Sequence, residues 1–169
     1  MRNRSLPTLV GLILVASTVA SFAPDVLAAT YLSLRTVTQI VPDGLNPATV
    51  ADASGFLHVV YRRTTDPGVW YSTNASGKWV ATKISSMTGQ PDVAIDAKGR
   101  LHVVFANSGS TPGIRYATNR SGSWVTTRLT TSTADLDPAI AVDPLGEVHV
   151  AYGGNALGYL TDRRGYWTQ

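Results

Sequence analysis

Three times this chain returns to the same phrase: Tyr71 to Trp79 reads YSTNASGKW, Tyr116 to Trp124 reads YATNRSGSW, and Tyr159 to Trp167 reads YLTDRRGYW. Each phrase closes a longer unit, and the units start at Pro47, Pro91 and Pro138. Each unit carries one histidine, His58, His102 and His149, spaced 44 and 47 residues apart. A period of roughly 40–50 residues belongs to β-propeller blades and to some helical solenoids.

The runs inside each unit decide between them. In the first unit they are ATVAD, LHVVYR, VWYST and KWVATKI, rich in β-branched and aromatic residues, with no helical spacing of apolar positions. Short polar turns join them: Asp52 to Gly55 and Asn74 to Gly77, with Asp96 to Gly99, Asn119 to Gly122, Asp143 to Gly146 and Asp162 to Gly165 as later copies. An Asx residue opens each turn and a glycine takes its left-handed position, as in hairpins. Side-chain size follows the same order. The first run of each unit is small, as in Ala48-Thr-Val-Ala51, and the later ones hold Tyr61, Trp70, Tyr71 and Trp79. Blades converge on an axis and splay outward, so small inner and large outer strands fit them. The sequence therefore predicts an all-β fold, a partial β-propeller of three four-stranded antiparallel blades at about 46–84, 90–129 and 137–169, preceded by an orphan strand at 34–40.

The turn Ser72-Thr-Asn74-Ala-Ser-Gly77-Lys-Trp79 resembles the Asp-box of sialidase-like, BNR-repeat β-propellers. Asn stands for Asp in two of the three copies, and the glycine comes one position late. The resemblance runs from about Tyr31 to the end. It implies a structural turn motif at Asn74, Gly77, Trp79, Asn119, Gly122, Trp124, Asp162, Gly165 and Trp167, with each tryptophan filling the gap between blades.

In an up-and-down blade the two Asx turns share one end, and the remaining connections share the other. Those remaining loops, 62–68, 106–113, 153–157, 85–90 and 131–137, differ from unit to unit. Variable loops on a rigid scaffold are where ligands usually bind. The candidate binding residues are Arg62, Arg63, Trp70, Asn107, Arg115, Asp135, Asp137, Asn155 and Tyr159. Aromatic faces stack on sugar rings while Asn, Asp and Arg bond hydroxyls. Trp70, Arg115 and Tyr159 are expected in one equivalent place at the start of the third strand of each blade.

Catalytic and metal chemistry find little footing. The histidines recur at one strand position, which suits a repeated structural hydrogen bond to the neighbouring Asp turn better than a metal site. Glu147 is the sole glutamate and sits on a tight turn, whereas glycosidases need a pair of carboxylates or, in sialidases, a Tyr assisted by Glu. The arginine motif of sialidases is missing at Tyr61-Arg62-Arg63-Thr64, and no nucleophile elbow, P-loop or cysteine is present. Asp135 and Asp137 form the best acidic pair. Catalytic residues, metal and cofactor are all expected to be absent. The sequons at Asn74 and Asn119 fall in the repeated turn and are read as turn chemistry.

Residues 1–28 have the layout of a secretory signal peptide: a basic start, an apolar run and the small-residue site Val26-Leu27-Ala28. No membrane span is expected after cleavage, and the protein is expected to be secreted or periplasmic, with the cell surface a further option. The 14 basic and 11 acidic residues include Arg2, Arg4 and Asp25, so the mature chain has only a slight basic surplus and nucleic acid is not expected as a partner. A glycan or cell-surface protein is. With no cysteine, packing alone must hold the domain. An open arc would leave blade faces wet. At ~25 cal/mol per Å2, about 400 Å2 forgoes about 10 kcal/mol, so further blades are expected from the rest of a longer chain or from a second copy. The function expected is non-catalytic binding. The alternative is the N-terminal part of a sialidase-like or other polysaccharide-degrading enzyme.

Overall fold

Alternating apolar residues and regularly placed Asx turns fold the described residues into twelve strands, seen here in a computed structural model. The structure describes residues 38–163 and 165–168. The signal segment at 1–28 lies outside these residues, as do positions 34–37 of the orphan strand; 38–40 are not strand. All strands belong to one compact unit, Ile40–Gln169.

The strands form three four-stranded antiparallel sheets, each a meander in sequence order. Blade 1 comprises β1 (Gly44–Ala51), β2 (Leu57–Arg63), β3 (Gly68–Thr73) and β4 (Val80–Ser85). Blade 2 comprises β5 (Pro91–Ile95), β6 (Leu101–Asn107), β7 (Gly113–Thr118) and β8 (Val125–Arg128). Blade 3 comprises β9 (Leu136–Val142), β10 (Val148–Gly153), β11 (Gly158–Arg163) and β12 (Tyr166–Thr168). The first strands, β1, β5 and β9, neighbour one another in that order. This is the inner lining of a propeller arc.

The turns behave as their residues dictate. The amide of Gly55 donates to the Asp52 carbonyl at 3.0 Å, and the Asp52 carboxylate accepts the amides of Ser54 and Phe56. The six turn glycines have φ between 75° and 85°, the left-handed region that a Cβ disfavours. Asn74 Oδ1 also accepts the Leu57 amide at 2.8 Å, and Asn119 Oδ1 the Leu101 amide at 2.8 Å, so the two turns of a blade are tied together. The third blade departs: Asp162 Oδ1 is buried with no partner among the described residues, while its Oδ2 meets Arg120 of blade 2 at 3.4 Å.

Two apolar clusters lie between the blades. Val60 and Val69 pack on Val93, Leu101, Val103, Phe105 and Ala117, with Tyr71 and Trp124 at the edge. Val104, Ile114 and Tyr116 pack on Val148, Val150 and Leu160, with Trp167 at the edge. In both, the tryptophan of one blade meets the turn tyrosine of the blade before it: Tyr71–Trp124 at 5.5 Å and Tyr116–Trp167 at 4.9 Å between ring centroids, both edge-on.

Candidate functional site

At the variable-loop end, pieces of all three blades enclose a cleft of about 190 Å3. Arg62 enters from the end of β2, Thr88 and Gln90 from the loop between blades 1 and 2, Ser108 from beyond β6, and Leu136 and Asp137 from the start of β9. The lining is polar in character, with a cation, a carboxylate, an amide and two hydroxyls. Arg62 Nε is buried without a hydrogen-bond partner. The side chains of Asp137 and Arg62 make no hydrogen bond or ion pair among the described residues. A buried N–H left unpaired is costly, and a ligand oxygen would satisfy it.

Local backbone shapes the cleft. Asp137 precedes Pro138 and has φ 46°, and Asn46, before Pro47, holds the same place in blade 1 with φ 49°. A left-handed conformation at a residue followed by proline is strained. It accompanies register shifts in the β1–β2 and β9–β10 pairings, which blade 2 lacks at Gln90-Pro91. Gly89 presses against the Ala106 carbonyl, where any Cβ would collide. Below the cleft, Asp92 Oδ2 accepts the Ile140 amide at 2.9 Å and fastens the inner strands of blades 2 and 3.

Of the nine candidate residues, the cleft gathers Arg62 and Asp137. Arg63 and Trp70 belong to a separate cluster. Arg63 Nε donates to Asp43 at 2.8 Å and its guanidinium lies 4.8 Å from the Trp70 ring centroid; Lys83 Nζ lies 5.5 Å from that ring and 2.6 Å from Asp66. Hydrogen bonds from the Thr65 side chain and amide, with Arg63, outweigh burial and hold the Asp43 carboxyl down at about 2. The Trp70 ring is thus already engaged by the protein's own cations.

Asn107 and Arg115 are buried, and both donate to the Thr111 carbonyl, at 2.7 and 2.6 Å, which ties down their loop. Asp135, half-buried beside Leu136, and Asn155, exposed, do not line the cleft.

Tyr159 requires a correction. It does not share the position of Trp70 and Arg115. It pairs with Ala151 as Tyr71 pairs with Val60 and Tyr116 with Val104, and Gly158 takes the Trp70 and Arg115 place opposite Tyr152. Five residues separate the paired Tyr152 and Gly158, against eight between Tyr61 and Trp70, so Tyr159 falls on the opposite face of its sheet from the one expected. Thr88, Gln90 and Ser108 were not singled out by sequence. Gln90 alone carried a signal, standing before Pro91 as Asp137 stands before Pro138.

The histidines form a repeated chain. His58 Nδ1 lies 2.6 Å from Tyr71 Oη and Nε2 3.3 Å from Asp52 Oδ2. His102 repeats both distances with Tyr116 and Asp96, and His149 lies 2.6 Å from Tyr159 and 3.6 Å from Asp143. A carboxylate on Nε2 fixes the proton there, so the tyrosine hydroxyl donates to Nδ1. Burial pushes His102 below its ordinary value of 6.5 despite Asp96. Asp143, Glu147 and His149 lie close enough to share a cation. Yet Asp143 already accepts two turn amides and Glu147 accepts from Arg163 at 3.0 Å. Their grouping is the blade's ordinary turn.

No protein-family model matches the sequence, and no curated protein matches it. The fold is similar to that of a fucose lectin from Kordia zhangzhouensis in complex with methyl-fucoside (TM-score 0.52, 15% identity, 72% of this chain and 95% of that one). It is similar to an α-L-arabinofuranosidase from Fusarium graminearum in complex with an iminosugar inhibitor (TM-score 0.56, 12% identity, 76% of this chain and 48% of that one). A complex of a Fusarium graminearum GH93 α-L-arabinofuranosidase with arabinobiose gives TM-score 0.56 at 13% identity and the same coverage. The chain thus spans nearly all of the lectin and about half of the arabinofuranosidases. At such identities the likeness shows the fold: β-propeller-like, with lectins and glycoside hydrolases among its neighbours.

Proposed function

We propose that this chain is an exported, non-catalytic carbohydrate-binding propeller of BNR-like type, which holds a hydroxyl-rich ligand in the cleft between Arg62 and Asp137. Arg62 carries the reading: it lines the cleft, and its buried Nε has no hydrogen-bond partner among the described residues. A sugar offers oxygens that accept from the guanidinium and the Gln90 amide, and hydroxyls that donate to Asp137 and Ser108. Its size suits a cleft of about 190 Å3. Export follows from the basic-apolar-small layout of residues 1–28 and gives a secreted or periplasmic protein that meets glycans or cell-surface proteins.

The test is a glycan array probed with the full chain and with Arg62→Ala. Binding of at least one glycan class, lost in the variant, supports the reading. An array with no glycan bound overturns it.

A second reading, part of a polysaccharide-degrading enzyme, is favoured by one observation: the chain matches about half the length of the arabinofuranosidases. In that reading the catalytic residues lie beyond these blades, and release of reducing sugar from a polysaccharide by a longer natural chain that carries them, but not by these blades alone, would select it.

A further inference from the structure

The third blade presents a face that the first two keep covered. Tyr116 is 5% exposed beneath Trp167, and Tyr71 is half-buried beneath Trp124. Their counterpart Tyr159 is 52% exposed. Around it Ala139, Ala141 and Ala151 lie in solvent, whereas Ala94, in the place of Ala141, is 9% exposed. This is a finished docking face with nothing on it among the described residues.

What covers such a face is the same row each time. On blade 2 it is Leu101, Val103 and Phe105 with Trp124, and on blade 3 it is Val148, Val150 and Tyr152 with Trp167. Blade 1 carries that row as well, in Leu57, Val59 and Tyr61 with Trp79. No blade described here lies before it. Its upper part is closed by the approach segment, since Val41 and Tyr61 both crowd Gly44. Val59 and Tyr61 are buried, at 9% and 2%, and Trp79 is half-buried as Trp124 and Trp167 are; the row is open at Leu57, which is 40% exposed.

We propose that a second copy of this chain docks its first blade on the third, seating Trp79 of one copy on Tyr159 of the other. The polar rim agrees. Between blades 2 and 3, Arg120 reaches the turn residue Asp162 at 3.4 Å. One junction further, the equivalent positions are Arg163 and Asn74 of the second copy, a cation facing an amide oxygen. A head-to-tail contact of this kind closes when its rotations complete a circle. Two copies of three blades give six, inside the usual range of about four to eight. The same closure would surround the Arg62 cleft with the loops of the second copy, so the inference does not depend on which ligand the cleft takes.

The mass of the full chain in solution, measured by sedimentation over about 1–100 μM, tests this. Twice the chain mass is expected. Tyr159→Ala and Trp79→Ala, each checked for retained strand circular dichroism, should weaken association at least about tenfold, as loss of a central aromatic anchor does. Asn74→Asp should tighten it in a salt-dependent way by restoring the Arg–Asp pair seen inside the arc. Because this variant keeps the acceptor for the Leu57 amide, it leaves the blade intact if the alanine variants fail to fold. A chain that stays monomeric throughout, or a dimer indifferent to both Tyr159→Ala and Asn74→Asp, overturns the proposal.

Discussion

Tyr116 and Trp167 belong to different blades, yet their rings meet edge-on with centroids 4.9 Å apart and planes at 65°. Edge-to-face contact suits two aromatics that shield an apolar seam. In the same tyrosine the hydroxyl reaches His102 and, through it, Asp96 in the inner turn. One residue thus links the inner turn, the blade interior and the next blade.

Removing the tryptophan should open that seam. Trp124→Ala is expected to cost about 2–4 kcal/mol, somewhat less than a fully buried aromatic because Trp124 is half-buried. Trp79→Ala, measured on the monomer, should cost clearly less, since no described tyrosine lies beneath it. Urea unfolding midpoints of the two variants give the comparison. Equal losses would show that Trp124 gains nothing from Tyr71.

Acid should weaken the domain in two steps. Burial lowers His102 below 6.5, so the folded state favours the neutral ring and the unfolded chain takes up the proton first. That contribution is complete above pH 6.5 and declines as pH falls below it. Burial works against the Asp96 charge, but the Arg100 amide and guanidinium together with His102 outweigh it and bring the carboxyl from 3.8 to about 2. Its contribution is complete above pH 3.8 and is lost toward pH 2. Unfolding midpoints at pH 7, 5 and 3 should fall in that order. Greater stability at pH 5 than at pH 7 would contradict the sign for His102.

The histidine chain should matter more inside the arc than at its edge. Tyr116→Phe removes a buried hydroxyl bonded to His102 and should cost about 1 kcal/mol or more. Tyr159→Phe removes the same bond at an exposed site and should cost little. Thermal melts of the two variants, taken at low concentration, separate these outcomes.

Much of the fold was legible because it is written in local chemistry. Asp52, Asn74 and their copies can only begin a turn where an amide is free to reach the carboxylate or amide oxygen, and the glycines three residues on mark the left-handed closure. The tryptophans were readable as inter-blade fillers for a similar reason: a large ring recurring beside a turn needs a neighbour to cover it. The cleft was harder to foresee. Arg62, Gln90 and Asp137 stand far apart in sequence, and only the curl of successive blades brings them together. Asn107 and Arg115 looked like ligand groups because their types are polar, but their partner is the Thr111 carbonyl, which no pattern signals. Tyr159 misled because an aromatic close behind Gly158 looks like Trp70 close behind Gly68, whereas counting back from Asp162 sets it with Tyr71 and Tyr116. The strand pairing follows that count.

Gly89→Ala should damage the cleft without touching a candidate ligand group. A Cβ there collides with the Ala106 carbonyl, so the loop carrying Thr88 and Gln90 must move. Destabilisation of about 1–3 kcal/mol is expected, as for other overpacked sites, together with weaker sugar binding. Unchanged stability and binding would show that the loop shifts freely and does not shape the cleft.

The claim that a sugar is held at Arg62 is tested most directly by titration calorimetry, using the glycan that binds best to the full chain. The account predicts that Arg62→Ala lowers affinity at least about tenfold, equivalent to about 1.4 kcal/mol, while Trp70→Ala, in its separate cluster with Arg63 and Lys83, changes it little. An Arg62→Ala protein that binds as tightly as the parent, or a Trp70→Ala protein that loses binding in its place, would contradict the account.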